Sequence, residues 1–369
     1  MKRYWDASPR LFSFLHGCWT DFEKWKSLAR GKVANLLNFC PPKPPLKPRV
    51  TKVTDKGSYI REEIIFNTAG NVPVHGSFLI PGGRGGPYPA VIAMHDHGGF
   101  YYFGREKILA LDDEPDILKE FKNDYSGGRS WADELVLRGF AVLCIDAFYF
   151  GSRKIDISMA SREIREMSPF DPGRYKPGTR EHIEEFNRFA GWYENFMQKG
   201  ILCAGATWPG ILVYDDQRSV DYLITRKEVD RDRIGCCGLS LGGYRSELLA
   251  ALDPRIRCAV AAGWMTTHSS LLDNMRHHTF MVYIPGMGRF FDLPDLVAMA
   301  APNSLFIQQC RRDQLYAGEG MSKSCEIIKK VYEKIGCPEN FKCSFYDNEH
   351  MFTAEMQEDA FKWLEKHLK

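Results

Sequence analysis

From residue 89 onward, short apolar runs alternate with helical signatures, and this alternation narrows the fold more than any other feature of the chain. The runs fall at 89–94, 140–146, 233–238, 256–263, 303–309 and 341–346. Helical patterns fall at 130–138, 211–226, 241–251, 319–335 and 354–368. Each run is continuously apolar rather than alternating, as in parallel strands covered on both faces. Strands alternating with helices predict an α/β, mostly parallel central sheet with helices on both faces. Two upstream β-rich runs, 59–67 and 72–80, are joined through Ala69-Gly70-Asn71 and read as a hairpin. Two stretches, 147–210 and 264–302, are too long for ordinary connections, and long insertions at strand ends tend to cap a site.

Ahead of the sheet, residues 20–39 carry a helical period through Phe22, Trp25, Leu28, Leu36 and Leu37, with Thr20 and Glu23 fitting a capping box. Proline density over 40–48 then stops the helix. The expected division is an N-terminal helix and Pro-rich strap at 1–48, then one domain at 49–369 with cap-like insertions at 147–210 and 264–302. An SH3-ligand role for the strap is the weaker reading. The apolar run Leu11–Leu15 is too short for a signal peptide and is interrupted by His16, so it reads as an N-terminal arm. Hydrophobic residues at 44% and charged residues at 26% give the balance of a soluble enzyme, and a net charge of +2 points to no nucleic-acid or membrane partner. No run of about 18 apolar residues is present to span a bilayer. The 11 cysteines include no C-x-x-C, and Cys144, Cys236, Cys237, Cys258 and Cys310 lie in apolar runs. Buried free thiols and a cytoplasmic location are expected. A homo-oligomer stays open.

The chemical signature lies at Gly238-Leu239-Ser240-Leu241-Gly242. A strand runs into this G-x-S-x-G pentapeptide and a helix leaves it, which is the context such a turn requires. The turn strains the serine backbone, and flanking glycines avoid the resulting clashes. The new helix aims its N-terminus at the site. A chance glycine-serine turn is the plainer alternative. A serine hydroxyl needs a neighbouring base. Later strands supply partners in the order acid, then histidine: Asp313 follows the run at 303–309, and His350 follows the run at 341–346. Strand carboxyl ends are where open α/β sheets build sites. A helix-capping aspartate and a surface histidine are the ordinary readings of these two, but their joint occurrence in order favours a triad. Asp347 and Glu349 are rival acids, too near His350 in sequence to reach its far nitrogen easily.

An oxyanion hole needs two backbone N–H donors. Leu241, after the serine, supplies one. The other is expected from the loop His95-Asp96-His97-Gly98-Gly99, at His97 or Gly98. The same His-x-His supports a rival metal-dependent site recruiting His268, His277 or His278, but no second ligand pair has helix-face spacing. The triad is preferred, with no metal and no cofactor. The loop 81–87 is glycine-rich but lacks the Gly-Lys-Ser/Thr ending of a phosphate cradle. Trp264, Tyr149 and Trp208 are candidate substrate contacts for a small-molecule ester, although aromatics at such places are as often core. Arg153 is expected to pair with an acid.

These segments resemble the α/β-hydrolase superfamily, within it the dienelactone-hydrolase-like and acetyl-xylan-esterase-like branch. The resemblance covers roughly 20–369 and is carried by MHDHGG (94–99), RGFAVLCIDAFYFGSR (138–153), RDRIGCCGLSLGGYRS (231–246), QQCRRDQLY (308–316) and DNEHMF (347–352). Dienelactone hydrolases use a cysteine nucleophile where Ser240 stands, so the resemblance implies a serine esterase, with carbohydrate acetyl esters among its substrates. Alternatives are the same triad acting on an amide or carbon–carbon bond, or a hydrolase scaffold that has lost catalysis.

Overall fold

The structure, a computed structural model, describes residues 3, 7–16, 19–70, 72–83, 85–275 and 278–369. Asn71 of the hairpin turn, Arg84 within the glycine-rich loop 81–87 and His277 of the rival metal set lie outside them. Nine strands form one sheet in the order β1-β2-β3-β5-β4-β6-β7-β8-β9. They are β1 (Arg49–Asp55), β2 (Tyr59–Ala69), β3 (Val72–Pro81), β4 (Tyr88–Met94), β5 (Ala141–Ile145), β6 (Val229–Leu239), β7 (Ile256–Ala262), β8 (Ser304–Cys310) and β9 (Phe341–Tyr346). The first three strands and the β3–β5 pair are antiparallel. Every pair from β5 to β9 is parallel. The six expected parallel-type runs and the hairpin are all present, and β1 is an exposed edge strand additional to them.

The principal helices are α1 (Phe22–Leu37), α2 (Asp116–Ser126), α3 (Trp131–Leu137), α4 (Arg180–Cys203), α5 (Trp208–Leu223), α6 (Leu241–Leu252), α7 (Gly318–Lys334) and α8 (Ala354–Leu368). One large core cluster joins α1, α5, α6 and α7 to one sheet face, and a second joins α3 and α8 to the other. The N-terminal helix is therefore built into the main core, burying Trp25, Ala29 and Val33. Its N-cap is Asp21, whose side chain accepts from the Lys24 N–H at 3.0 Å, rather than Thr20 in a capping box. Asp21 stands directly before the first helical residue, where its carboxylate meets the orphan amide of the first turn. The insertion at 147–210 runs through short helical turns and the short helix Arg162–Met167 into the long α4. The insertion at 264–302 is built from short helices, including His268–Asp273 and Leu293–Val297.

The five cysteines expected as buried free thiols are buried and free. Cys325 and Cys343 differ, because a disulfide joins α7 to β9. Parallel pairing of β8 with β9 and packing of α7 against β9 bring these two positions together, which a spacing of 18 residues does not reveal. No helix among the described residues is long and apolar enough to cross a membrane.

Candidate active site

β6 delivers Ser240 at a sharp turn into α6. Ser240 has φ 57° and ψ −118°, a left-handed conformation that costs a side-chain-bearing residue about 1–3 kcal/mol. Its N–H donates to the Ala262 carbonyl of β7 at 2.8 Å, and its carbonyl accepts from Tyr244 at 2.9 Å, so both sides of the turn are pinned. The motif glycines are steric necessities. A Cβ on Gly238 would lie 2.5 Å from the backbone of Gly242, and one on Gly242 would collide with the Met94 carbonyl of β4. Leu241 opens α6, so its N–H belongs to the first turn and has no intrahelical acceptor.

Asp313 and His350 arrive from the next two strand ends. His350 Nδ1 lies 2.6 Å from Asp313 Oδ2, and the Asp313 side chain is fully buried. The other Asp313 oxygen accepts from the Leu315 N–H at 2.8 Å, fixing the carboxylate. With Nδ1 donating to Asp313, His350 Nε2 is the free lone pair. Gly263 leaves room for the ring: a Cβ there would sit 3.3 Å from His350 Cε1. The rival acid Asp347 is 78% exposed and faces Arg312 instead. Ser240, Leu241, His97, Gly98, Trp264 and His350 all line one cavity of about 220 Å³. Among the described residues the Ser240 hydroxyl makes no hydrogen bond to the imidazole.

The structure separates the three aromatic candidates. Trp264 lines the cavity. Tyr149 and Trp208 do not; they pack edge-to-face at 5.5 Å, with exposures of 1% and 0%. Trp208 is the first residue of α5, three residues earlier than the pattern predicts, because Thr207 caps that helix. Arg153 pairs with buried Asp215 at 2.6 Å.

The loop after β4 is held by contacts that the sequence does not announce. His95 is fully buried; its Nε2 accepts from the Ala147 N–H at 3.1 Å, so Nδ1–H donates to the Asp96 carbonyl at 2.9 Å. Burial, aided by Lys107, pushes its pKa well below that of an ordinary imidazole. His97 Nδ1 accepts from Gly99 at 3.0 Å, leaving Nε2–H for Glu194 at 3.1 Å. Both ring nitrogens of each histidine are therefore engaged, which leaves no lone pair in the His-x-His pair for a cation. Glu194, on the buried face of α4, also accepts from Tyr101 at 2.7 Å and Thr279 at 2.9 Å. Burial alone would raise its pKa, but these donors outweigh it and hold the carboxyl below the ordinary range. One carboxylate thus ties the loop after β4 to both insertions. Its sequence signal is a charge among Ile183, Phe186, Ala190 and Ile201 on an otherwise apolar helix face.

Residues 176–366, more than half of the chain, match the model of the Abhydrolase family. YtaP of Bacillus subtilis (strain 168), provisionally named a hydrolase, is 26% identical over 341 residues, covering 92% of this chain and 98% of YtaP. A Bacteroides fragilis NCTC 9343 structure, provisionally named an acetyl xylan esterase, superposes with a TM-score of 0.72 at 19% identity over 94% of this chain and 80% of its own. Glucuronoyl esterase from Solibacter usitatus gives a TM-score of 0.63 at 14% identity over 98% of both chains. At such identities the two structures speak for a shared fold. The family match speaks for descent, and on it the chain belongs to the Abhydrolase family, the α/β hydrolases.

Proposed function

We propose that this protein hydrolyses carboxylic esters through an acyl-enzyme on Ser240. The observation that carries the reading is the 2.6 Å contact between His350 Nδ1 and buried Asp313, on a cavity that the strained Ser240 also lines. Ser240 Oγ attacks the ester carbonyl while His350 Nε2 takes its proton. Asp313 fixes the tautomer and stabilises the imidazolium. The carbonyl oxygen gains charge against the N–H of Leu241 and an N–H of the loop after β4, beside the positive end of α6. His350 then protonates the leaving alcohol, and water repeats the sequence on the acyl group. The Ser240–His350 hydrogen bond is the contact that must form in the reacting complex, as is common for unliganded sites.

A cavity of about 220 Å³ walled by Trp264, Val282 and Tyr316 suits a small acyl group such as acetyl. Small acetylated carbohydrates or similar alcohols rank ahead of lipids. The acetyl xylan esterase and glucuronoyl esterase among the structural relatives support an ester substrate. A p-nitrophenyl ester series from acetate to decanoate tests this. Acetate should be cleaved fastest, and a fluorophosphonate should label Ser240. Preference for chains of about ten carbons, or activity surviving in Ser240→Ala, contradicts the reading.

A further inference from the structure

Lys107 is buried at 1% exposure, in the short turn Arg105–Lys107 that follows the loop after β4. Its ammonium donates to the carbonyl of Asp96 at 2.8 Å and to that of His97 at 2.9 Å. These oxygens belong to successive peptide units, Asp96–His97 and His97–Gly98. A trans peptide is planar, and its N–H points opposite to its C=O. Gripping both carbonyls therefore turns the N–H groups of His97 and Gly98 away from Lys107. Neither N–H has a partner among the described residues, and both residues line the cavity with Ser240.

Resting on the ester-hydrolysis reading, we propose that Lys107 is the positioning residue of the oxyanion hole, aiming and polarising the His97 and Gly98 amides through their carbonyls. The Asp96 side chain takes part as well: its Oδ2 lies 3.9 Å from the Lys107 ammonium as a counter-charge. A glycine is needed next to it, because a Cβ on Gly98, at φ +54°, would lie 2.6 Å from that same oxygen. The remaining faces of the ammonium meet the rings of Phe150 at 4.6 Å and Phe121 at 5.3 Å. Glu106 on its own turn and Asp146 after β5 add weaker attraction, and His95 beside it is held neutral. Burial outweighs the three carboxylates and brings the Lys107 pKa down to about 8. The positive charge that polarises the two amides is then lost as pH rises through about 8, so catalysis should fall on the alkaline side.

The test compares wild type with Lys107→Met, which keeps the packing stem, and with Lys107→Arg, which keeps the charge. Lys107→Met should lower kcat on p-nitrophenyl acetate by on the order of 10²-fold with little change in KM. It should weaken a trifluoromethyl ketone, which forms a tetrahedral oxyanion adduct, by a similar factor. The alkaline limb near pH 8 should disappear, and Lys107→Arg should recover part of kcat and move the limb upward. Unchanged kcat and ketone affinity in a folded Lys107→Met overturns the proposal. If that variant does not fold, wild type decides alone: ketone affinity that stays flat from pH 7 to 10 overturns it equally. Esterase activity surviving in Ser240→Ala would instead overturn the ester-hydrolysis reading, so the two failures are distinct.

Discussion

The cavity has two sides held by different physics. On one side, Ser240, Asp313 and His350 stand at the ends of β6, β8 and β9, and each turn is fixed by main-chain bonding to the neighbouring strand. The Ser240 N–H on the Ala262 carbonyl and the Gly263 N–H on the Gln308 carbonyl, both at 2.8 Å, extend the sheet ladder into the site. On the other side, the loop after β4 and the two insertions are held by single buried charges: Lys107 on two carbonyls, Glu194 on three donors, Asp292 facing Arg10 at 3.2 Å. At the Ser240 turn chemistry separates from stability, because the turn is held by its main chain and not by the serine hydroxyl. On the second side position and stability are one thing, because each charge is itself the fastener.

The sharpest break of this comparison is at Ser240. Ser240→Ala should reduce kcat by on the order of 10⁶-fold with the melting temperature nearly unchanged. Asp313→Asn, which keeps the shape but not the charge, should cost on the order of 10⁴-fold. A large drop in melting temperature for Ser240→Ala would mean that the strand-end side is also fastened by its side chains, and the distinction would fall.

Glu194→Gln probes the opposite side, and its kinetic effect should be smaller, on the order of 10-fold in kcat, below the ~10² for deleting an oxyanion donor outright. Here stability should move with activity. An amide cannot accept equally from His97, Tyr101 and Thr279, and a buried donor left without its acceptor costs about 1–3 kcal/mol. Because the carboxyl is held below its ordinary value, its ionised form stabilises the fold above the unfolded pKa of about 4.3, and this contribution is lost as pH falls through the lower folded value. Acid unfolding of Glu194→Gln should therefore be shallower than that of wild type. Kinetic loss without any change in acid stability would separate position from stability on this side too.

The same contrast explains what the sequence discloses. The strand-end side is legible because local rules write it: apolar runs mark the strands, strain demands glycines around Ser240, and chain order gives Asp313 and His350. The opposite side is decided by contacts between distant segments. Lys107 carries no motif, and only the fold sets its ammonium under two carbonyls. Glu194 has a faint signal, a charge on the apolar face of α4, yet that helix contains Gly191 and Gly200, which weaken its helical pattern. Tyr149 lies just past a strand and Trp208 in a long insertion, places where core and pocket aromatics look identical in sequence. The edge strand β1 is exposed along most of its length, so it lacks the apolar run that identifies the others.

The smallest expected effect concerns the second anchor of the 264–302 insertion, a capping box at the helix Leu293–Val297. The Asp295 carboxylate accepts from the Asp292 N–H at 2.9 Å, and Asp292 accepts from the N–H groups of Leu293 and His268. The two carboxyls diverge. Burial dominates at Asp295 and raises its pKa to about 7, whereas contacts with His268 and Arg10 outweigh burial at Asp292 and lower it. A carboxyl whose pKa is raised on folding binds a proton in the native state that the unfolded chain, with a pKa of about 3.9, has released. Stability should therefore fall as pH rises from about 4 to about 7, as the native proton becomes progressively more costly to keep. Asp295→Asn keeps an acceptor for the Asp292 N–H but cannot ionise, so its stability should decline less over this window. Neither Asp292 nor Asp295 lines the Ser240 cavity, and kcat should hardly change. Urea denaturation at pH 5 and pH 8 for both proteins measures the difference. Equal slopes for the two would mean that Asp295 titrates as an ordinary carboxyl, and that this anchor is fastened by packing rather than by charge.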